Sequence, residues 1–184
     1  MLDSANFLFE HAWGPIYGWF SNRGLRFLVL PTKALAGRHV YLLHSTVNLT
    51  WGRRLHTAFE RYFAGMEETF GGVPLDLESG TPFQRTVWQT ARKIPWGNLS
   101  TYGDLARLMG HTKGAARAVG QALRANPVPI LVPCHRFIAA DGGLGGFSAG
   151  LDWKRGLLRI EGHSFLAGEP QRCNDAADAR PHRP

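Results

Sequence analysis

The residues best suited to chemistry in this chain stand together at Cys134-His135-Arg136. A cysteine is by default a small buried hydrophobe, but the neighbours of this one argue for reactivity. It follows Asn126-Pro-Val-Pro-Ile-Leu-Val-Pro133, whose three prolines forbid a helix and predict an extended run that fixes the thiol's position. His135 and Arg136 flank it, and positive neighbours favour the thiolate, which is the nucleophilic form. A nucleophile needs a base, and the base needs a group to orient it. On extended backbone, successive side chains point to opposite sides, so His135 is expected to reach Cys134 through a water rather than directly. Glu161 is the carboxylate nearest the inward face of the last apolar helix and can hold a histidine. Taken alone, it reads as a surface or capping carboxylate.

Other chemistries find less support. Cys173 lies in a polar tail and reads as an inert thiol. Two cysteines cannot build a disulfide framework, which points to a reducing, cytoplasmic setting. His111, His163 and His182 show no metal-ligand spacing with either cysteine, so no metal is expected. The glycine cluster at 142–146 lacks the lysine and the helix of a phosphate-binding loop.

Elements that would position Cys134 follow from periodicity. Residues 1–50 read as strands, notably 24–31 and 39–44, rich in leucine, aromatic and β-branched residues between turn formers. Residues 53–64 read as a helix with Leu55, Phe59, Tyr62 and Phe63 on one face. Gly71-Gly-Val-Pro-Leu-Asp-Leu-Glu-Ser-Gly80 has no helical period and suits a linker. A helix then opens with Thr81 as cap and Pro82 at its first position, and Phe83, Val87, Ala91 and Ile94 form its stripe. A short helix at 102–109 should turn Leu105, Leu108 and Met109 inward. After the turn Gly110-His-Thr-Lys-Gly114 comes a further helix at 115–125. Two short helices about such a turn fit a helix-turn-helix, though most such pairs only pack a core. The Gly-rich loop 141–146 suits close approach by a ligand or backbone. A final helix at 151–161 should bury Trp153, Leu157 and Leu158. The expected organisation is an N-terminal domain at 1–75, a linker at 76–80, a second domain at 81–166, and a disordered tail at 167–184.

The chain has 184 residues, 44% of them hydrophobic and 19% charged, which is ordinary for a soluble globular protein. No apolar run approaches the roughly 20 residues of a membrane helix, and Asp3 and Glu10 speak against a secretory signal. The formal charge of +7 is unevenly placed. Residues 82–163 carry 11 Lys/Arg against 4 Asp/Glu, and the remainder balances to zero. A basic half attracts phosphate whatever the sequence bound.

Pro133-Cys134-His135-Arg136, set between Asn126-Pro-Val-Pro and the Gly-rich loop, resembles the O6-alkylguanine-DNA alkyltransferase (methylated-DNA–protein-cysteine methyltransferase) family. Gly80-Thr-Pro-Phe-Gln84, Ile94-Pro-Trp-Gly97, Thr101-Tyr-Gly-Asp-Leu-Ala106, Ala116-Arg-Ala-Val-Gly120 and Leu157-Leu-Arg-Ile-Glu-Gly162 resemble further family blocks, in family order. The resemblance is strong over 80–163 and looser before it. It implies an α/β, ribonuclease-H-like N-terminal domain and a mainly α, winged-helix-like C-terminal domain with a helix-turn-helix.

The same resemblance implies the roles. Cys134 would accept an alkyl group from O6 of guanine, or from O4 of thymine, in a self-inactivating event. His135 would activate it through water, and Glu161 would hold His135. Tyr102 would push at the target phosphate and hydrogen-bond guanine N3. Arg117 would fill the gap left by the flipped nucleotide. Asn126 would tie the turn to the active-site loop, and Phe137, Phe147 and Ser148 would line the guanine pocket. Ala116, Gly120, Arg124 and Arg136 would meet DNA, with Ala115, Ala118 and Ala122 also small enough for close approach to the minor groove. The implied partner is double-stranded DNA carrying O6-alkylguanine, bound by a monomer without a cofactor. Phe147 stands where many members carry tyrosine, and the turn before Arg117 is one residue longer than in some. A non-catalytic sensor of alkylated DNA is the alternative, but such relatives lack the acceptor cysteine. A plain helix-turn-helix regulator leaves the reactive tripeptide unexplained, and a cysteine hydrolase normally draws its histidine from far away in the sequence.

Overall fold

A computed structural model of the chain describes residues 4–32, 41–42 and 49–164. The proposed disordered tail, with Cys173 and His182, lies outside the described residues, as does most of the expected strand at 39–44. β2 (Phe7–Phe9), β3 (Ile16–Ser21) and β4 (Gly24–Val29) form an antiparallel sheet in the order β2-β3-β4; burial alternates along β2 and β3, while β4 buries Gly24, Leu25 and Leu28 beside a register shift in its pairing with β3. β1 (Ser4–Ala5) pairs in parallel with β5 (Tyr41–Leu42). Helix α1 (Leu49–Phe63) starts a turn earlier than its apolar stripe suggests, and buries Leu55, Ala58, Phe59 and Tyr62.

The segment after α1 is packed. Val73, Asp76 and Leu77 are buried, and Leu25 N–H donates to the Pro74 carbonyl at 2.8 Å. Leu28 N–H donates to the Pro127 carbonyl, and the Trp153 indole donates to the Pro31 carbonyl at 2.7 Å. The strands are thereby tied to the second half of the chain, and one apolar core runs through both.

Helix α2 (Pro82–Ala91) opens as its sequence requires. Thr81 Oγ1 accepts from Gln84 N–H while the Gln84 side chain accepts from Thr81 N–H, a complete capping box. Trp88 of α2 is buried, and its indole N–H donates at 2.8 Å to the carbonyl of Ala122. That carbonyl belongs to the last turn of α4 (Ala116–Arg124), where helix carbonyls lack intrahelical partners. Gly80 lies flat against the same ring: a Cβ there would sit 2.3 Å from Trp88 Cζ3.

Strand β6 (Ser100–Thr101) pairs in parallel with β7 (Phe137–Ile138), and α3 (Tyr102–Leu108) follows β6 at once. Thr101 caps α3, accepting from Asp104 N–H at 3.0 Å. The expectation that Leu108 points inward is wrong: it is 63% exposed, while Leu105 is fully buried. Leu105 and Ala106 form the inward face of this two-turn helix, which rotates Leu108 to solvent. A 3-10 turn at Lys113–Ala115 with no buried residue leads into α4. Helix α5 (Leu151–Ile160) buries Trp153, Lys154, Leu157 and Leu158.

The proline-rich stretch is not extended. Residues 126–133 fold into a tight turn in which Val132 N–H donates to the Val128 carbonyl at 3.0 Å and Pro129 bridges Val132. Ile130 sits at φ 74°, a costly conformation for a β-branched residue. Pro133, at φ −80° and ψ 60°, centres an inverse γ-turn closed by Cys134 N–H to the Val132 carbonyl at 2.8 Å. Proline excludes the helix, but it permits turns as readily as strands.

Candidate active site

Cys134 opens a 3-10 turn, Cys134–Arg136, at the floor of a cavity of about 690 Å³. Tyr102 from α3, Ala116, Arg117, Gly120 and Arg124 from α4, and Gly146, Phe147 and Ser148 from the Gly-rich loop line it. Two turns therefore deliver the thiol, and two helices and one loop wall it in. Gly145 is at φ 65°, and a Cβ there would meet Tyr102 Oη at 2.7 Å, so only glycine lets the loop lie against this tyrosine. The Gly146 N–H hydrogen-bonds the Tyr102 hydroxyl. Burial raises that hydroxyl above its ordinary value, so Tyr102 is a neutral donor.

The thiol itself is almost wholly buried, with 6% exposure. Asn126 Nδ2 donates to Cys134 Sγ at 3.2 Å and to the Val132 carbonyl at 2.9 Å, and Asn126 Oδ1 accepts from Val128 N–H at 2.9 Å. One amide thus fixes the turn and touches the nucleophile. Burial pushes the Cys134 thiol up, against the opposing pull of Asn126 and of the Lys154 charge. This corrects the expectation that its neighbours favour a resting thiolate. The positive charge of Arg136 is committed elsewhere, and desolvation prevails.

The two residues after Cys134 belong to a charged cluster shut off from bulk solvent. His135 is fully buried, and its Nε2 lies 2.7 Å from Glu161 Oε1. Arg136 donates from Nε to Glu161 Oε2 at 2.8 Å, from Nη2 to Oε1 at 3.0 Å, and from Nη1 to the Ile94 carbonyl at 2.6 Å. Glu161 ends α5 as its C-cap, yet its side chain has no exposure, so it is not a surface carboxylate. Burial alone would raise its carboxyl, but His135 and Arg136 outweigh that and hold it well below the usual carboxylate range. Since Glu161 stays ionised and only accepts, the proton of His135 is assigned to Nε2. Burial also lowers the His135 imidazole against the opposing pull of Glu161. The buried Nδ1 has no hydrogen-bond partner within the protein. A neutral imidazole with an open lone pair is a base.

Several expected site residues stand elsewhere. Arg136 does not face the cavity, because the two oxygens of Glu161 hold its fork inside the protein. Phe137 is fully buried in the core, fixed by the β6–β7 pairing, and does not line the cavity. Ala122 is buried on the inner face of α4, opposite the cavity, whereas Ala118 is exposed. Tyr102, Ala116, Arg117, Gly120, Arg124, Phe147, Ser148 and Cys134 do come together around the cavity.

Two buried polar groups near the thiol carry no signal of their own in the expected site. Tyr62 of α1 donates its hydroxyl to Glu161 Oε1 at 2.9 Å, and it reads in sequence only as part of an apolar stripe. Lys154 is fully buried on α5, and its ammonium donates to the carbonyls of Phe137 and Leu144, pinning the Gly-rich loop to the strand after Cys134. Burial lowers it to about 8, against the opposing pull of the Cys134 charge. Its place among Trp153, Leu157 and Leu158 on the inner face was the available signal. Among the described residues no three of His, Cys, Asp or Glu come together to hold a metal ion.

Comparison with known proteins gives this geometry its relatives. Residues 82–163 match the family model described as the DNA-binding domain of 6-O-methylguanine DNA methyltransferase. A methylated-DNA–protein-cysteine methyltransferase of Haemophilus influenzae is 47% identical over 118 residues, 64% of this chain and 65% of that relative. One from Methanopyrus kandleri is 47% identical over 114 residues, 60% of this chain and 82% of the relative. In structure, the O6-methylguanine methyltransferase of Mycobacterium tuberculosis aligns with TM-score 0.70 at 32% identity, covering 89% of this chain and 95% of that one. The same organism's OGT in complex with DNA aligns with TM-score 0.67 at 34% identity, covering 85% and 92%. The α/β fold is the fold of these proteins. With a buried cysteine at the floor of the cavity and that degree of identity around it, this chain belongs to the methylated-DNA–protein-cysteine methyltransferase family.

Proposed function

We propose that the protein repairs alkylated DNA directly, moving an alkyl group from O6 of guanine in a duplex onto Cys134 once per molecule. The observation that carries this reading is the set of groups joined at the cavity: Cys134 lines it and is touched by Asn126, and the next residue, His135, is a buried base held by the carboxylate of Glu161. The partner is duplex DNA, supported by the excess positive charge of residues 82–163 and by a structural relative described in complex with DNA. The chain's first half is read as a ribonuclease-H-like domain at 1–75, followed by a linker at 76–80. Residues 81–166 are read as a winged-helix-like domain whose α3 and α4 form the helix-turn-helix.

The lesion oxygen of a stacked guanine is out of reach of a buried thiol, so the nucleotide swings out into the cavity at a cost of a few kcal/mol. The volume suits a base, since small-molecule sites run from about 300 to 1,000 Å³. Arg117, exposed on α4, takes the space left in the duplex. Because the resting thiol is neutral, transfer begins with a proton. Cys134 gives it to the open Nδ1 of His135 through a water, and the imidazolium that forms is paired with Glu161. The sulfur then attacks the alkyl carbon. An Sγ–C bond forms, the C–O6 bond breaks, and its electron pair stays on guanine. Tyr102 donates to N3 of the departing base, and the proton held by His135 returns to guanine, so the base leaves neutral. Asn126 Nδ2 stabilises charge on sulfur as it develops. The product thioether has no leaving path in water, so each molecule acts once.

The test is the intact mass of the protein after incubation with a duplex bearing one O6-methylguanine. One added methyl per molecule, mapped to Cys134 and absent in Cys134→Ala, is the expected result. Tight lesion binding without mass gain overturns transfer and makes the protein a damage sensor.

A further inference from the structure

Helix α1 belongs to the half of the chain that carries neither the cysteine nor the cavity, yet it sends one hydroxyl into the charged cluster. Tyr62 is fully buried. Its Oη lies 2.9 Å from Glu161 Oε1 and 3.4 Å from His135 Nε2. The ring is held edge-on by Trp96 with centroids 5.0 Å apart, by Phe63 at 5.4 Å, and at a tilt by Phe70 at 5.5 Å. Aromatic packing on three sides leaves the phenol one orientation, and that orientation points at the carboxylate.

The donors around Glu161 define what this hydroxyl does. Oε2 accepts from Arg136 Nε at 2.8 Å and from Gly97 N–H at 3.4 Å. Oε1 accepts from His135 Nε2, from Arg136 Nη2 and from Tyr62. His135 Nε2 carries the proton that it gives to Glu161, so it is no acceptor for the phenol, and the 3.4 Å approach is a contact between two donors sharing one oxygen. Burial, and then the Glu161 charge, keep the Tyr62 hydroxyl protonated throughout the working range. The phenol is therefore a fixed donor that competes with His135 for the same oxygen.

Resting on the alkyl-transfer reading above, we infer that Tyr62 is a positioning residue for the reaction: its hydroxyl fixes Glu161 and tempers the carboxylate's hold on the His135 proton. A carboxylate oxygen with an extra donor is a weaker base toward each of the others. With Tyr62 in place, Glu161 stabilises the His135 imidazolium enough to let it form, but not so much that the imidazole is protonated before the thiol delivers its proton. The groups that face His135 are Glu161 and Lys154 from α5, Arg136 and Cys134 from its own turn, and Tyr62 from α1. Of these, Tyr62 is the neutral donor at Glu161 contributed by the N-terminal half. The first half of the chain thus takes part in the chemistry without touching substrate.

The sign of the effect follows. Removing the hydroxyl leaves Glu161 more basic, which raises the His135 imidazole. The acid limb of the transfer rate, where His135 is already protonated and cannot accept, then moves to higher pH.

The experiment is single-turnover methyl transfer from an O6-methylguanine duplex at saturating protein, measured across pH for wild type and Tyr62→Phe. The expected result is a three- to tenfold slower transfer at neutral pH, an acid limb displaced upward, and unchanged affinity for the lesion duplex. A purely architectural tyrosine would lower the plateau or the affinity and leave the acid limb in place, and that result overturns the inference. Equal rates and equal limbs overturn it too, while wild-type transfer leaves the functional reading standing. No methyl gain in wild type removes both. A second measurement uses the wild-type protein alone. The Tyr62 hydroxyl proton should give a resolved downfield NMR resonance that exchanges slowly with water and shows a dipolar contact to the His135 Nε2 proton. The absence of that resonance overturns the inference even if Tyr62→Phe does not fold.

Discussion

The rim of the cavity and the cluster beneath it use the same residue type in opposite ways. Arg117 and Arg124 line the rim from the exposed face of α4, open to whatever approaches. Arg136, two residues from the thiol, is 7% exposed and spends its fork on Glu161 and the Ile94 carbonyl. A charge in water costs little to keep or lose, whereas a buried charge must be matched. The difference is one of independence: each rim charge can change alone, and the floor stands or falls as a unit.

The sharpest way to break this contrast is to remove one partner on each side. Arg136→Met leaves the Glu161 carboxylate buried with one cation fewer and should cost about 3–5 kcal/mol in denaturant unfolding. Arg117→Met should change stability by no more than about 0.5 kcal/mol. Equal losses would erase the distinction between floor and rim.

Acid should separate the two regions next. The folded Glu161 carboxyl titrates well below its unfolded value of 4.5, so its contribution is fully present above that pH and is lost progressively as pH falls below it. Unfolding free energies from urea titrations between pH 7 and 3 should therefore fall more steeply in wild type than in Glu161→Gln, approaching roughly 1.4 kcal/mol per pH unit for one proton in the acid part of that range. Parallel curves would mean that the cluster does not couple folding to pH.

At the rim, Arg117→Ala should lower the preference for a lesion duplex over a plain one by about tenfold, near 1.4 kcal/mol and part of the cost of extrusion. If binding to both duplexes falls equally, Arg117 is only a phosphate contact. Away from both regions, Thr81→Ala removes the α2 capping box and should cost about 1 kcal/mol, read as a lowered melting temperature with transfer intact.

Sequence reading succeeded where the signal is local. Thr81 and Pro82 mark a helix start, and the hydrogen bonds that close it, with Gln84, lie within four residues. The inward set Trp153, Leu157 and Leu158 follows from one helical period. It failed where distant segments decide. Tyr62 and Glu161 are 99 positions apart, and no pattern within α1 distinguishes a phenol that packs from one that also donates. The family resemblance implies Arg136 at the DNA, and only the meeting of α5 with the Cys134 turn draws it inside onto Glu161. Leu108 shares the spacing of Leu105, but periodicity defines a stripe without fixing which edge of it is covered. The prolines excluded a helix, yet the turn they make depends on Ile130 holding a positive φ, which its β-branched side chain resists.

The indole clamp from Trp88 to the Ala122 carbonyl bears on how α4 carries load. The helix is anchored near its C-terminal end, by a bond to a buried ring that also seats Gly80. Its N-terminal end is approached by the exposed turn Lys113–Ala115. Val119 is buried at mid-helix, so α4 is held at its middle as well as at its last turn, and Ala116 and Arg117 extend from that hold to the wall of the cavity.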